Sequence, residues 1–147
     1  MFSQTVEYAL RAMVQLAADS SGSATTKDIA GKAKVPSAYL AKVLQSMRRA
    51  GLIHSRRGVG GGVTLAKPAK NISLLDVIDA VEPLKRTPGK KVPTASQLQK
   101  SMDAAVDQLR AKFAAESLAD MLPKGKTVKA SPRGAAAKPK RAAAKKR

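Results

Sequence analysis

The chain is predicted to be mainly α-helical with a small β-wing, followed by a long helix and a basic tail. Three observations predict this. Between Lys34 and Ala66, the residues Leu40, Val43, Leu44 and Met47 fall at i, i+3, i+4 and i+7, one apolar stripe of a helix. Two short apolar runs, LIHS (Leu52–Ser55) and VTLA (Val63–Ala66), then bracket the basic, Gly-rich tip RRGVGGG. Finally, positive charge is concentrated in two places. Residues 27–70 hold ten basic side chains against one acid, and residues 123–147 hold ten against none.

Taken in order, Tyr8, Leu10, Met13, Val14, Leu16 and Ala17 predict a first helix from about Ser3 to Asp19, closed by Ser20-Ser21-Gly22-Ser23. Thr25 or Thr26 caps a short second helix to Ala33, with Asp28 in its first turn, where a carboxylate suits the helix dipole. Pro36 breaks that helix, and Ser37 is expected as N-cap of the next, which Gly51 ends. Two helices joined by a tight turn form a helix-turn-helix, and the hairpin after it makes a winged one. Beyond Pro68, Ser73 with Asp76 three residues on resembles a capping box for a helix running through Val81 and stopping at Pro83.

Residues 84–93 (LKRTPGKKVP) read as a basic linker. From Thr94–Ser96 a longer helix begins, with Leu98, Met102, Ala105, Leu109 and Phe113 recurring at coiled-coil-like spacing and Val106 beside them. That face is expected to be covered by a second copy of the chain. Ser117–Leu122 (SLADML) closes the folded part as a capped turn. From Pro123 onward, small residues, prolines and unopposed charge predict disorder. The expected organisation is a DNA-binding unit over 1–83, a linker over 84–93, a dimerisation helix over 94–122 and a tail over 123–147.

Composition narrows the function classes. A net charge of +18 points to a polyanionic partner. Without cysteine there is no disulfide and no thiolate-held metal. No run of 18 apolar residues spans a membrane, and Glu7 and Arg11 interrupt the N-terminus unlike a signal peptide, so the expected location is the bacterial cytoplasm, at the nucleoid. No nucleophile lies beside a base, and GVGGGV followed by no Gly-Lys-Ser/Thr is no phosphate-cradling loop, so no enzyme is expected. Asp76, Asp79 and Glu82 read as a solvated helix face, and His54, the one histidine, as an ordinary strand residue.

EYALRAM, PSAYLAKVLQSMRRAGLI, SRRGVGGGVTLA, ISLLDVIDAVEP and SLADML, in this order and spacing, resemble the Rrf2 family of bacterial winged-helix transcription regulators (the IscR-, NsrR- and CymR-like proteins). The resemblance is close over residues 2–83 and looser to Leu122. It implies a homodimer with crossed C-terminal helices, recognition helices and wings lying on successive grooves of a palindromic site. Many members also carry three cysteines between the fourth helix and the dimerisation helix, holding an iron–sulfur cluster. Here that stretch is PLKRTPGKKVPTASQ, which has no thiolate ligand, so no cofactor is expected.

The expected contacts with double-stranded DNA follow. Ser37, Ala38, Tyr39 and Lys42 open the recognition helix, nearest the bases in standard docking. Ser37 either caps the helix alone or also touches a phosphate. Tyr39 either stacks on a sugar or methyl group or packs on the first helix, and its place in the family pattern favours DNA. Lys42 and Arg49 suit phosphates, and Gln45 and Ser46 share their face. In the wing, Arg56 and Arg57 suit a narrow minor groove, with Gly58, Gly61 and Gly62 allowing a tight turn and close backbone approach. The expected function is a sequence-specific regulator, a repressor, with a tail adding non-specific affinity. The alternative is an architectural, nucleoid-compacting protein dominated by its tail. A bound partner protein or small molecule is the remaining source of an input signal.

Overall fold

The computed structural model describes residues 2–84 and 93–124. Apart from Leu84, Pro93, Pro123 and Lys124, the linker and the basic tail lie outside the described residues. Helix α1 (Gln4–Ala18) starts at Ser3, whose hydroxyl accepts from Val6 N–H, and buries Val6, Ala9, Ala12, Met13, Leu16 and Ala17. Helix α2 (Thr26–Ala33) is capped by Thr25, whose Oγ1 accepts from Asp28 N–H at 3.1 Å. The turn after it passes through Lys34 in the left-handed conformation, φ 55°. Helix α3 (Ser37–Arg49) buries Leu40, Val43, Leu44 and Met47, the predicted stripe.

Ser37 is not the N-cap. Pro36 occupies that position, its carbonyl accepting the first helical bond from Leu40 N–H at 2.9 Å, and no side chain caps the helix. Ser37 sits one residue inside, already helical. At the other end Gly51 (φ 74°) donates to the Arg48 carbonyl and Leu52 to the Met47 carbonyl, both at 3.0 Å, a Schellman closure sealed by buried Leu52 and Met47. Because Leu52 is used there, the first strand begins one residue later than expected.

Strands β1 (Ile53–Arg56) and β2 (Gly62–Leu65) pair antiparallel, Ile53 opposite Leu65 and Arg56 opposite Gly62. Ala24 bridges Val63 through two backbone bonds of 3.1 and 2.7 Å, tying the wing to the loop before α2. Helix α4 (Leu74–Val81) carries the full capping box between Ser73 and Asp76. Helices α1, α2, α3 and α4 and the base of the wing enclose one core, with Met13, Ile29, Leu40, Met47, Ile53 and Ile72 among its fully buried side chains.

A 3-10 turn (Pro93–Ala95) leads into α5 (Ser96–Ala115), a helix of 20 residues in which none is buried. Its second half folds back onto its own domain. Phe113 meets Phe2 edge-to-face, ring centroids 5.4 Å apart, and packs against the core. Arg110 grips Asp79 of α4 with bonds of 3.0 and 3.1 Å and the Leu84 carbonyl at 2.9 Å. Asp79 is therefore no solvated face residue, and Glu82 accepts from the Ser3 hydroxyl. Ser117 and Asp120 cap one another as expected, but the turn does more. Leu118 N–H donates to the Ile72 carbonyl at 2.9 Å, and its side chain, 0% exposed, fills the floor of the core.

Candidate nucleic-acid interface

Packing leaves α3 with a polar outer face. Because the apolar stripe is turned to the core, Ser37, Ala38, Tyr39, Lys42, Gln45 and Arg49 are exposed, with Ser46 half-buried between them. Helix α3 contains no acidic residue. Among the described residues, neither Lys42 nor Arg49 makes an ion pair, and the one nearby acid in sequence, Asp28, has its carboxylate occupied by the Thr25 hydroxyl at 2.7 Å. Cations without internal partners keep their full charge for an external anion.

Tyr39 packs on the first helix, the second of the two roles expected of it, and stays partly exposed. Its ring stands edge-on to Tyr8 of α1, centroids 5.4 Å apart at 79°, and it remains 40% exposed. The Tyr8 hydroxyl accepts from Gln4 Nε2 at 2.8 Å, so the first turn of α1 props the start of α3. Edge-to-face pairs of this kind fix ring orientation as well as burying area.

The wing carries its two arginines at the end of β1, and both are exposed and unpaired among the described residues. The glycines divide by role. Gly58 is open. A Cβ on Gly61 would lie 2.8 Å from the Gly58 carbonyl, and one on Gly62 (φ 152°) would lie 2.5 Å from Ser23 Oγ and 3.0 Å from the Ala24 carbonyl. The close backbone approach that requires glycine at 61 and 62 is thus satisfied inside the chain, where it shapes the wing. His54 is an exposed strand residue opposite Thr64.

The stripe expected at a dimer contact splits in two. Leu98 and Met102 are 62% and 52% exposed, and Ala105 is exposed with them. Leu109 and Phe113 are half-buried, and Phe113 packs within its own chain. Sequence reading missed the Arg110–Asp79 pair, whose partners lie 31 residues apart without a local motif. It also passed over Val59, the exposed apex of the wing, although an apolar residue inside a basic Gly-rich tip was visible.

The family model described as an iron-dependent transcriptional regulator, Rrf2, matches residues 2–124. The chain belongs to the Rrf2 family. A Mycobacterium tuberculosis protein described as an HTH-type transcriptional regulator is 41% identical over 81 residues, 54% of this chain and 50% of that protein. The HTH-type transcriptional regulator IscR of Cereibacter sphaeroides is 37% identical over 78 residues, 51% of this chain and 50% of that one. The chain thus spans about half the length of the curated relatives it matches. Among solved structures, oxidized Staphylococcus aureus CymR superposes with a TM-score of 0.68 at 29% identity, covering 86% of this chain and 99% of that one. IscR of T. potens gives a TM-score of 0.68 at 26% identity, covering 89% and 92%. These relatives are regulators with a winged-helix fold, not enzymes, in agreement with the sequence reading.

The family description names iron, and the donor set does not fit an iron–sulfur cluster. The sequence has no cysteine, and no three His, Asp or Glu side chains gather among the described residues. No helix among the described residues is long and apolar enough to cross a membrane.

Proposed function

We propose that this chain binds double-stranded DNA sequence-specifically as a homodimer on a palindromic site and acts as a cytoplasmic repressor without a cofactor. The observation that carries the reading is the acid-free outer face of α3 continuing into a wing with two unpaired arginines. In this docking Ser37, Ala38 and Tyr39 lie nearest the base edges, Lys42 at the same end of the helix and Arg49 beyond it meet phosphates, and Arg56 and Arg57 lie over the minor groove. The uncovered Leu98, Met102 and Ala105 support a second copy along the first half of α5. The ten basic residues of 123–147 add sequence-independent, salt-dependent affinity.

The test is selection of genomic DNA fragments at near-physiological salt by the full chain and by a chain ending at Leu122. Enrichment of one inverted repeat by both, with a steeper salt dependence for the full chain, is the expected result. The tail's charge also favours a second reading, an architectural DNA-compacting protein. Indiscriminate coating by the full chain and no enrichment by the shorter one would establish that reading instead.

A further inference from the structure

The apex of the wing is built to present one side chain. Val59 stands between Gly58 (φ 95°) and Gly60 (φ 74°), and the turn is closed beneath it by a bond of 2.9 Å from Gly61 N–H to the Gly58 carbonyl. Its relative exposure is 110%, the largest among the exposed large hydrophobic side chains. Among the described residues nothing covers it. Exposed turn apices ordinarily carry small polar residues that hydrogen-bond locally, whereas here a branched aliphatic group projects from a basic loop of the DNA-binding unit, two residues after Arg57.

We infer that Val59 is a specificity-determining residue that reads the absence of the guanine 2-amino group in the minor groove, so that the wing selects A·T pairs beside each half-site. The inference rests on the DNA-binding reading above. Cations flanking the apex suit the negative potential of a narrow A·T-rich groove. Once the wing enters, the floor distinguishes bases. An A·T floor offers only the adenine N3 and thymine O2 acceptors beside a flat C2–H, whereas G·C adds the protruding N2 donor. Two valine methyls fit the first. Against the second they strip water from an N–H and return no acceptor, leaving a desolvated, unpaired donor. Arginine alone favours a narrow groove; the branched apolar apex adds an exclusion that depends on one exocyclic group.

The experiment uses the full chain and duplexes carrying its enriched site, with the base pairs bordering each half-site set to A·T, inosine·C or G·C. Inosine keeps the guanine major-groove edge but lacks the 2-amino group. For the natural sequence, A·T and inosine·C duplexes should bind alike and G·C about tenfold more weakly, as one unpaired buried donor implies. In Val59→Ser the G·C penalty should shrink to about twofold or less, since the hydroxyl accepts from the amino group. Circular dichroism verifies the variant's fold, which the open space around residue 59 leaves undisturbed. An unchanged A·T to G·C ratio in Val59→Ser, or an equal loss on all three duplexes, overturns the inference while leaving DNA recognition standing. Failure of the natural chain to prefer any duplex over random DNA removes the DNA-binding reading, and this inference with it.

Discussion

The Arg110–Asp79 pair is a side-chain ion pair between the long helix and α4, and its energetic weight can be worked from its surroundings. Arg110 makes two parallel bonds to the carboxylate and a third to the Leu84 carbonyl, all between 2.9 and 3.1 Å. Charge-assisted bonds contribute about 1.5–3 kcal/mol when shielded, and exposed pairs about 0–1 kcal/mol. Here the two side chains are 36% and 34% exposed, so neither limit applies. Arg110→Met, which keeps the aliphatic stem, should therefore lower stability by roughly 1–2 kcal/mol. In a double-mutant cycle with Asp79→Asn, measured by urea unfolding, the coupling should be about 1 kcal/mol and should fall in high salt. A coupling below about 0.3 kcal/mol would refute the reasoning. Attachment of α5 would then rest on Phe113 and the chain after it, with Arg110 a surface decoration.

Leu118→Ala should destabilise the chain by about 2–5 kcal/mol in the same assay, because truncating a fully buried leucine, whose N–H is bonded to the Ile72 carbonyl, leaves a cavity in the core. Gly62→Ala should lower both stability and DNA affinity, measured by unfolding and by titration with the enriched site, since its Cβ would strike Ser23 and Ala24 where the wing is anchored. Asp19 accepts from the Ser21 hydroxyl at 2.6 Å and the Ser21 N–H at 2.9 Å, with Lys32 at 3.6 Å, and its carboxyl is held below the ordinary 3.8. A depressed folded value stabilises above the unfolded one. The contribution is therefore complete above that ordinary value and lost as pH falls through the lower folded one. Asp19→Asn should flatten the acid limb of a thermal-stability profile relative to the natural chain, and identical limbs would assign acid sensitivity elsewhere.

What was legible in the sequence was what short-range chemistry decides. The α3 stripe, the Thr25 and Ser73 caps and the two wing strands each follow from side chains within about one turn or one hairpin of each other. Errors of one residue arose where two local rules compete: serine is the better N-cap by side chain, yet the Pro36 carbonyl takes the boundary bond. The long-range consequences were not legible. The α5 heptad-like spacing says that one face is apolar, not what covers it, and of the same five residues only Leu109 and Phe113 are half-buried by the described chain. Phe113 turns inward against Phe2 while Arg110 one turn earlier holds Asp79 and the Leu84 carbonyl, and Leu98 and Met102 extend past anything the described chain offers. This division has a mechanical meaning for the proposed dimer. Since Arg110 and Phe113 fix the last turns of α5 to the DNA-binding unit, a second copy seated on Leu98 and Met102 would set the distance between two recognition helices through a rigid rod. Half-site spacing should then be decided by the pitch and length of α5 between Met102 and Arg110, the eight-residue interval over which the helix passes from one partner to the other.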